Sequence, residues 1–597
     1  MLVALPIEDY AVIGDTQTAA LVGCNGSIDW LCLPRFDSGA IFAALLGTEE
    51  HGRWLLAPAA PVRAWRRRYR GQTMVLETEF DTDEGTVRVV DFMPLRGEDA
   101  DVVRIVEGVR GRVPMRMELT LRFDYGHILP WVRRTDSGIV AVAGPDAVWV
   151  HTPVHMRGDN FTTVAEFSVG EGFQAPFVLT WRPSHLPAVQ PIDPLVTLEG
   201  TEAYWLEWIS RCTYEGRWSD TVRRSLLTLK TLTYAPTGGV VAAVTTSLPE
   251  SLGGVRNWDY RYCWLRDATM TLQALMYSGY VDEARAWRHW LLRAIGGDPA
   301  ELQIMYGVAG ERRLDERIAD WLPGYCGVPV RIGNAAANQF QLDVYGEVMD
   351  AMHQARKAGL EPDRPAWDLE LALMGFVEKN WRLPDEGIWE VRGGKQHFTH
   401  SKMMAWVAAD RAVKAVEQFG YDGPVQRWRA LRGDIAADIM ANGFDERRNT
   451  FTQFYGSREL DASLLMMPLV GFLPADSARV RGTIAAIERE LLDADGFVRR
   501  YTQSSQSHVD GLPAGEGAFL ACGFWLAQNY ALVGRRDDAF RFFEQLLGLC
   551  NDVGLLAEEY DVKAGRFTGN FPQAFSHVPL IDTARNLQTG QEPRIEG

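Results

Sequence analysis

The apolar residues of this chain change their period once, near residue 195, and that change restricts the fold more than any other feature. Before it they tend to alternate. MRMELTLRFDY sets Met115, Met117, Leu119, Leu121 and Phe123 on one face, the two-residue repeat of a strand with one buried side. TVRVVDFMP and GIVAVAGPDAVWVHTPV read as short strands, the second as a hairpin around a Gly-Pro-Asp turn. Residues 1–195 are therefore expected to form an antiparallel β-sandwich, followed by a polar and aromatic linker over 196–218.

From residue 219 to the end the period is that of helices. Twelve are predicted, near 219–234, 264–278, 281–295, 335–358, 363–381, 399–419, 423–442, 458–470, 475–492, 516–534, 536–550 and 575–587. Connections after even-numbered helices are mostly brief turns such as SGY, GYDG and LPAD, which suit antiparallel neighbours. Those after odd-numbered helices are mostly longer and rich in Trp, Tyr, Arg, Asp and Glu. In a closed ring of six hairpins these loops all emerge at one end, so the pattern predicts an (α/α)6 barrel over 219–597 with one functional mouth. An open helical solenoid would show a fixed repeat length and gives no reason for aromatic loops on alternate connections.

A chain of 597 residues exceeds one ordinary core, and 47% hydrophobic with 23% charged residues is a globular composition. The net charge of −17 repels nucleic acid and anionic membranes, which makes a neutral small molecule the expected partner. One basic run, RAWRRRYRG at 63–71, fits either a solvated strand edge or an anion site. Seven cysteines without metal-ligand spacing, and the lack of an apolar export or membrane segment, lead to the expectation of a cytoplasmic protein. Assembly as a homo-oligomer stays open.

The long loops hold the chemistry. In RNWDYRYCWLRDAT, Arg266 and Asp267 follow Trp258, Tyr260, Tyr262 and Trp264; paired donors and acceptors among aromatic rings suit a sugar, whose hydroxyls need both while its C–H faces stack. Asp267 fits equally the first turn of a helix. VPVRIGNAAANQFQLD offers Arg331, with Asn334 read as an N-cap. DEGIWEVRGGKQHFTHSK sets Trp389, Glu390 and Arg392 together: a carboxyl dried by a Trp ring can stay protonated as a general acid, or it can simply pair with Arg392. YTQSSQSHVDGLPAGEGAFL ends in Glu516, and its His508 reads as structural. LLAEEYDVKAGRFTGN gathers Glu558, Glu559, Tyr560 and Asp561. Glu390 and Glu558 at one mouth would be the two carboxylates that glycoside hydrolysis requires.

GIWE, NWDYRYCWLRD and AEEYD, with the N-terminal IGDTQTAALVGCNGSIDWLCLPRFDS, resemble glycoside hydrolase family fifteen, which contains glucoamylases, glucodextranases and prokaryotic trehalases. The resemblance runs from about residue 8 to 588 and implies the same sandwich-plus-barrel build. It implies that Glu390 is the general acid and Glu558 the general base of an inverting α-glucoside hydrolase. It also implies that Arg266 and Asp267 hold the terminal glucose, with Tyr260 and Trp264 lining that pocket. Trp258, Arg331, Trp389, Arg392, Glu516 and Tyr560 complete the expected substrate contacts. Val391 stands where glucoamylases often carry a second Glu, which argues against a polymer-type subsite. This chemistry requires no metal and no cofactor.

The cytoplasmic expectation favours a small intracellular α-glucoside, with trehalose first and maltose, isomaltose or dextrin cleavage as alternatives. A disaccharide phosphorylase would use phosphate in place of water, and Glu558 argues against it. A non-catalytic sugar-binding protein would keep the aromatic residues without needing both carboxylates.

Overall fold

One 21-residue strand, Ala100–Thr120, organises the N-terminal half of the computed structural model, which describes residues 4–502, 509–513 and 515–589. The first part of this strand pairs antiparallel with Gly85–Phe92 and with Gln174–Pro183. Its second part pairs with Arg53–Pro58 and Thr162–Gly170. The strand thus belongs to both sheets of the sandwich and crosses between them at Gly108 and Gly111. A Cβ at either glycine would meet a facing carbonyl oxygen at 2.0 or 2.3 Å, so only glycine lets the backbones approach this closely. Met115, Met117 and Leu119 are buried along the strand, with Leu121 and Phe123 buried just beyond it. The expected hairpin pairs Gly138–Ala143 with Asp146–His151.

The five arginines of the basic run lie on or beside the strand Val62–Tyr69, and each is ion-paired. Arg63 meets Asp83, Arg66 meets Glu79 and Asp81, Arg68 and Arg70 meet Glu77, and Arg67 meets Asp552. Their charge is spent on the sheet, which removes the anion-site reading.

The stretch expected as a linker contains helix α1, Pro194–Ser210. The Asp193 carboxylate accepts from the amides of Leu195 and Val196, and Pro194 opens the first turn. Leu195, Val196 and Leu206 are exposed while Trp205, Trp208 and Ile209 are buried, which blurred the helical period. The barrel follows as α2 (Ser219–Thr231), α3 (Leu265–Tyr277), α4 (Val281–Ala294), α5 (Asp343–Lys357), α6 (Arg364–Asn380), α7 (Thr399–Phe419), α8 (Val425–Asn442), α9 (Met466–Leu469), α10 (Ala478–Glu490), α11 (Leu520–Leu532), α12 (Arg536–Leu547) and α13 (Ala574–Thr589).

α3, α5, α7, α9, α11 and α13 form the inner ring: each touches the next, and α13 packs on α3 to close it. The even-numbered helices stand outside. The long connections run from outer to inner helices, so they gather over the N-termini of the inner ring. Three inner helices start later than their apolar period suggests; a 3-10 turn over Ala462–Leu465, capped by the Asp461 carboxylate, precedes α9. Residues 335–338 form a short 3-10 turn before α5, because the Asp385 carboxylate takes the Leu342 amide. Ala518 and Phe519 pair as a strand with Tyr560 and Glu559 before α11.

The sandwich buttresses this mouth. Arg261, in the loop before α3, binds Asp259 through two nitrogens at 2.9 and 2.6 Å and donates to the Ser38 carbonyl at 2.9 Å. Its guanidinium also lies 5.3 Å from the Tyr125 ring centroid. Trp30 donates to the Val244 carbonyl at 2.7 Å, and Asn551 to those of Glu8 and Tyr10. Among the described residues, no helix is long and apolar enough to cross a membrane.

Candidate active site

Glu390 and Glu558, 168 positions apart in the chain, line one pocket of about 640 Å³ with its open mouth included. Trp258, Tyr260, Arg266, Trp389 and Arg392 line it with them.

The loop that presents Glu390 is held in an unusual backbone state. Glu390 has a φ of 58°, a left-handed conformation that non-glycine residues adopt only under constraint. The constraint is visible: its amide donates to the Gly387 carbonyl, the Val391 amide to that of Glu386, and the Gln339 side chain to the carbonyls of both Glu390 and Val391. Trp264 Nε1 donates to Glu390 Oε1 at 2.7 Å, and Arg266 Nη1 stands 3.7 Å from the same oxygen. Burial raises the Glu390 pKa against the lowering effect of Arg266. Trp389 is pinned separately, its indole donating to both Asp461 oxygens at 2.9 and 3.0 Å.

Arg266 sits in the first turn of α3. It donates to Asp267 Oδ1 at 2.7 Å and to the Ile388 carbonyl at 2.6 Å, tying the helix to the Glu390 loop. Asp267 is buried and does not line the pocket; it orients Arg266.

Glu558 is 1% exposed. Its Oε2 accepts from the Asn570 amide at 3.2 Å and Tyr260 bonds the same carboxyl, while Oε1 is buried without a partner among the described residues. Burial, with the nearby Glu250 charge, pushes its pKa up to about 8. Gly569, at a φ of 74°, makes the seat: a Cβ there would stand 2.5 Å from Glu558 Oε2. Trp264 and Tyr260, which bond Glu390 and Glu558 respectively, form an edge-to-face pair with centroids 5.0 Å apart. Each carboxylate is therefore anchored to one ring of a rigid aromatic couple.

The rim is a clamp around Trp258. Arg392 lies 4.1 Å and Arg331 5.1 Å from the Trp258 ring centroid. Glu316 holds both arginines, at 3.2 and 2.8 Å. Arg331 supports the clamp from outside the pocket lining. Asn334 is the expected N-cap, accepting from the Ala336 amide.

Besides Asp267, Arg331 and Trp264, none of which lines the pocket, two further expected contacts lie away from the cavity. Tyr560 stacks on Phe497 with centroids 5.3 Å apart and packs against Phe567, because the strand it belongs to turns its ring outward. Glu516 is taken up by Arg256 and Arg500 behind the wall. His508 lies outside the described residues.

Sequence reading missed Glu250, Arg256, Arg500, Tyr501, Asp510, Gln573, Phe519 and Phe575, all in the lining. Oxygens of Glu250, Glu516 and Glu559 lie within 4.8 Å of one another. Arg500 answers them, 2.9 Å from Glu250 and 3.5 Å from Glu559, and bonded to Glu516, so a guanidinium sits where three acids converge. Apart from Phe575, on α13, these residues come from three separate connections and share no local pattern.

Residues 216–585 match the family described as glycosyl hydrolases family 15, and residues 3–183 match one described as trehalase-like, N-terminal. The chain is 37% identical over 620 residues to a trehalase of Mycobacterium tuberculosis, covering 98% of this chain and 90% of that one. It is 34% identical over 590 residues to a trehalase of Thermoplasma volcanium, covering 98% and 93%. A bacterial glucoamylase solved with acarbose shares the fold, with a TM-score of 0.73 over 98% of this chain and 95% of that chain, at 11% identity. The full-length match, the closed helical ring and the paired carboxylates at its mouth agree, and the chain belongs to glycosyl hydrolases family 15.

Proposed function

We propose that the protein hydrolyses trehalose with inversion, Glu390 acting as general acid and Glu558 as general base. Glu390 gives its proton to the glycosidic oxygen. The unpaired Glu558 Oε1 takes a proton from a water that attacks the anomeric carbon from the other face, and the C–O bond to the leaving glucose breaks. The observation that carries this reading is the lone oxygen of Glu558 in the pocket that also holds Glu390, with each acid tied to its own ring of the Tyr260–Trp264 pair. An inverting pair needs ~6.5–9.5 Å between its carboxyls for the water, and the attachment of each acid to a different ring supports their being held apart.

Arg266, positioned by Asp267, would bind hydroxyls of the glucose being cleaved, and Trp258 with Arg392 would cover the second ring. The Glu316 clamp closes the rim around Trp258, which supports a two-ring substrate over a polymer. The names of the relatives support trehalose among two-ring glucosides. We also infer a cytoplasmic setting, which accords with seven free thiols.

The test is incubation with trehalose, maltose, isomaltose and soluble starch, following glucose and its first-formed anomer. Trehalose should be cleaved fastest, releasing α- and β-glucose in equal initial amounts, since one anomeric centre inverts and the other leaves unchanged. Initial α-glucose alone would show retention and reject the roles of both acids. Faster release from maltose or starch would move the activity to the glucoamylase type.

A further inference from the structure

The barrel holds a second cavity, at the end opposite the catalytic pocket, formed by the C-terminal parts of the same inner helices. It encloses about 1380 Å³ of space, mouth included. Its charges balance: Glu347, Asp350 and Asp582 share it with Lys357, Arg411 and Arg585. Between them stand four amides, Gln273, Gln354, Gln528 and Asn586, and the rings of Tyr277 and Trp525 supply apolar surface.

Two buried groups in this lining lack hydrogen-bond partners among the described residues. Both carboxyl oxygens of Glu347 and Nδ1 of His353 are unpaired, although each residue is only 3% exposed. Buried polar groups are ordinarily satisfied by protein or ordered water, so these two mark a polar wall to the cavity. Balanced charge disfavours a phosphate or another ion. Alternating amides and carboxylates beside aromatic rings suit a ring of hydroxyls with apolar C–H faces.

The cavity also shares a wall with the catalytic pocket. The Trp525 ring lies 6.2 Å from that of Trp389 and 5.7 Å, edge-on, from that of Phe575. Both of those residues line the catalytic pocket, and Arg266 lies 4.8 Å from the Phe575 ring centroid.

We propose that this distal cavity is a second sugar site, binding one uncharged pyranose of the size of glucose. The site is independent of which glucoside the catalytic pocket cleaves. Glucose titrated calorimetrically into the full chain should fill a distal site in addition to those of the two-ring catalytic pocket, and a Trp258→Ala, Arg392→Ala chain, weakened at the catalytic rim, should retain the distal one. Adding Ala351→Met, which fills the cavity, or Gln528→Leu, which replaces an amide by an apolar group of similar size, should each weaken the retained site at least tenfold. Thermal midpoints measured alongside report whether each variant is folded, and two unrelated substitutions guard against the failure of one. Glucose binding in which every site is indifferent to both distal substitutions would overturn the proposal.

Discussion

At the scale of single residues, the two acids differ in how they are held. Glu390 is fixed by one indole and one guanidinium, whereas Glu558 is buried with one free oxygen. Removing either should stop chemistry while leaving sugar recognition in place. Glu390→Gln and Glu558→Gln are each expected to lower kcat by at least ~10²–10⁴, with trehalose binding retained in a calorimetric titration. Turnover unchanged in either variant would reject that residue's role.

The pH profile follows from the same environments. Activity requires Glu558 ionised and Glu390 protonated, so kcat/KM should fall on the acid side as Glu558 takes up a proton and on the alkaline side as Glu390 loses one. Glu250 is the neighbouring charge that raises Glu558. Taking that negative charge away favours the ionised base, so Glu250→Gln should move the acid limb to lower pH. A shift to higher pH in the measured profile would contradict this assignment.

At the scale of an element, both acids depend on left-handed backbone. Glu390 itself adopts it, and Gly569 adopts it opposite Glu558. Gly569→Ala combines that conformation, which costs roughly 1–2 kcal/mol for a residue with a Cβ, with a methyl against the carboxylate. We expect a modest fall in thermal midpoint and a loss of kcat well beyond it, at least tenfold, as Glu558 is displaced. Equal activity after correction for folded fraction would show that the seat is not needed.

GIWEVRGG by itself left two readings open, a dried acid or a carboxylate paired with Arg392, and only together with NWDYRYCWLRD and AEEYD did it point to a site. The clamp partners of this loop were not legible. Gln339 and Glu316 reach it from the preceding connection, 51 residues away for Gln339 and 76 for the Glu316–Arg392 pair. No local period marks such contacts.

At the scale of the molecule, the sandwich acts on the site through Arg261. This side chain is fully buried and pairs with the equally buried Asp259. Arg261→Met leaves that carboxylate unpaired, and losing one partner of a buried pair costs about 3–5 kcal/mol. A correspondingly lower midpoint in thermal or urea unfolding is expected. KM should also rise, because Arg261 braces the loop that carries Trp258, Tyr260 and Arg266. A variant as stable as the parent would remove the sandwich from this account.

What the chain declared alone was its periods: strands on one side of residue 195, helices beyond it, and long aromatic loops on alternate connections. Those features are local, since each is written in residues two to four positions apart or in one contiguous loop. Only folding decided which loop residues meet. It turned Glu558 toward the pocket and Tyr560 away, placed Arg500 among three acids, and set Trp525 between two cavities, because those contacts join positions far apart in sequence through the closure of the helical ring.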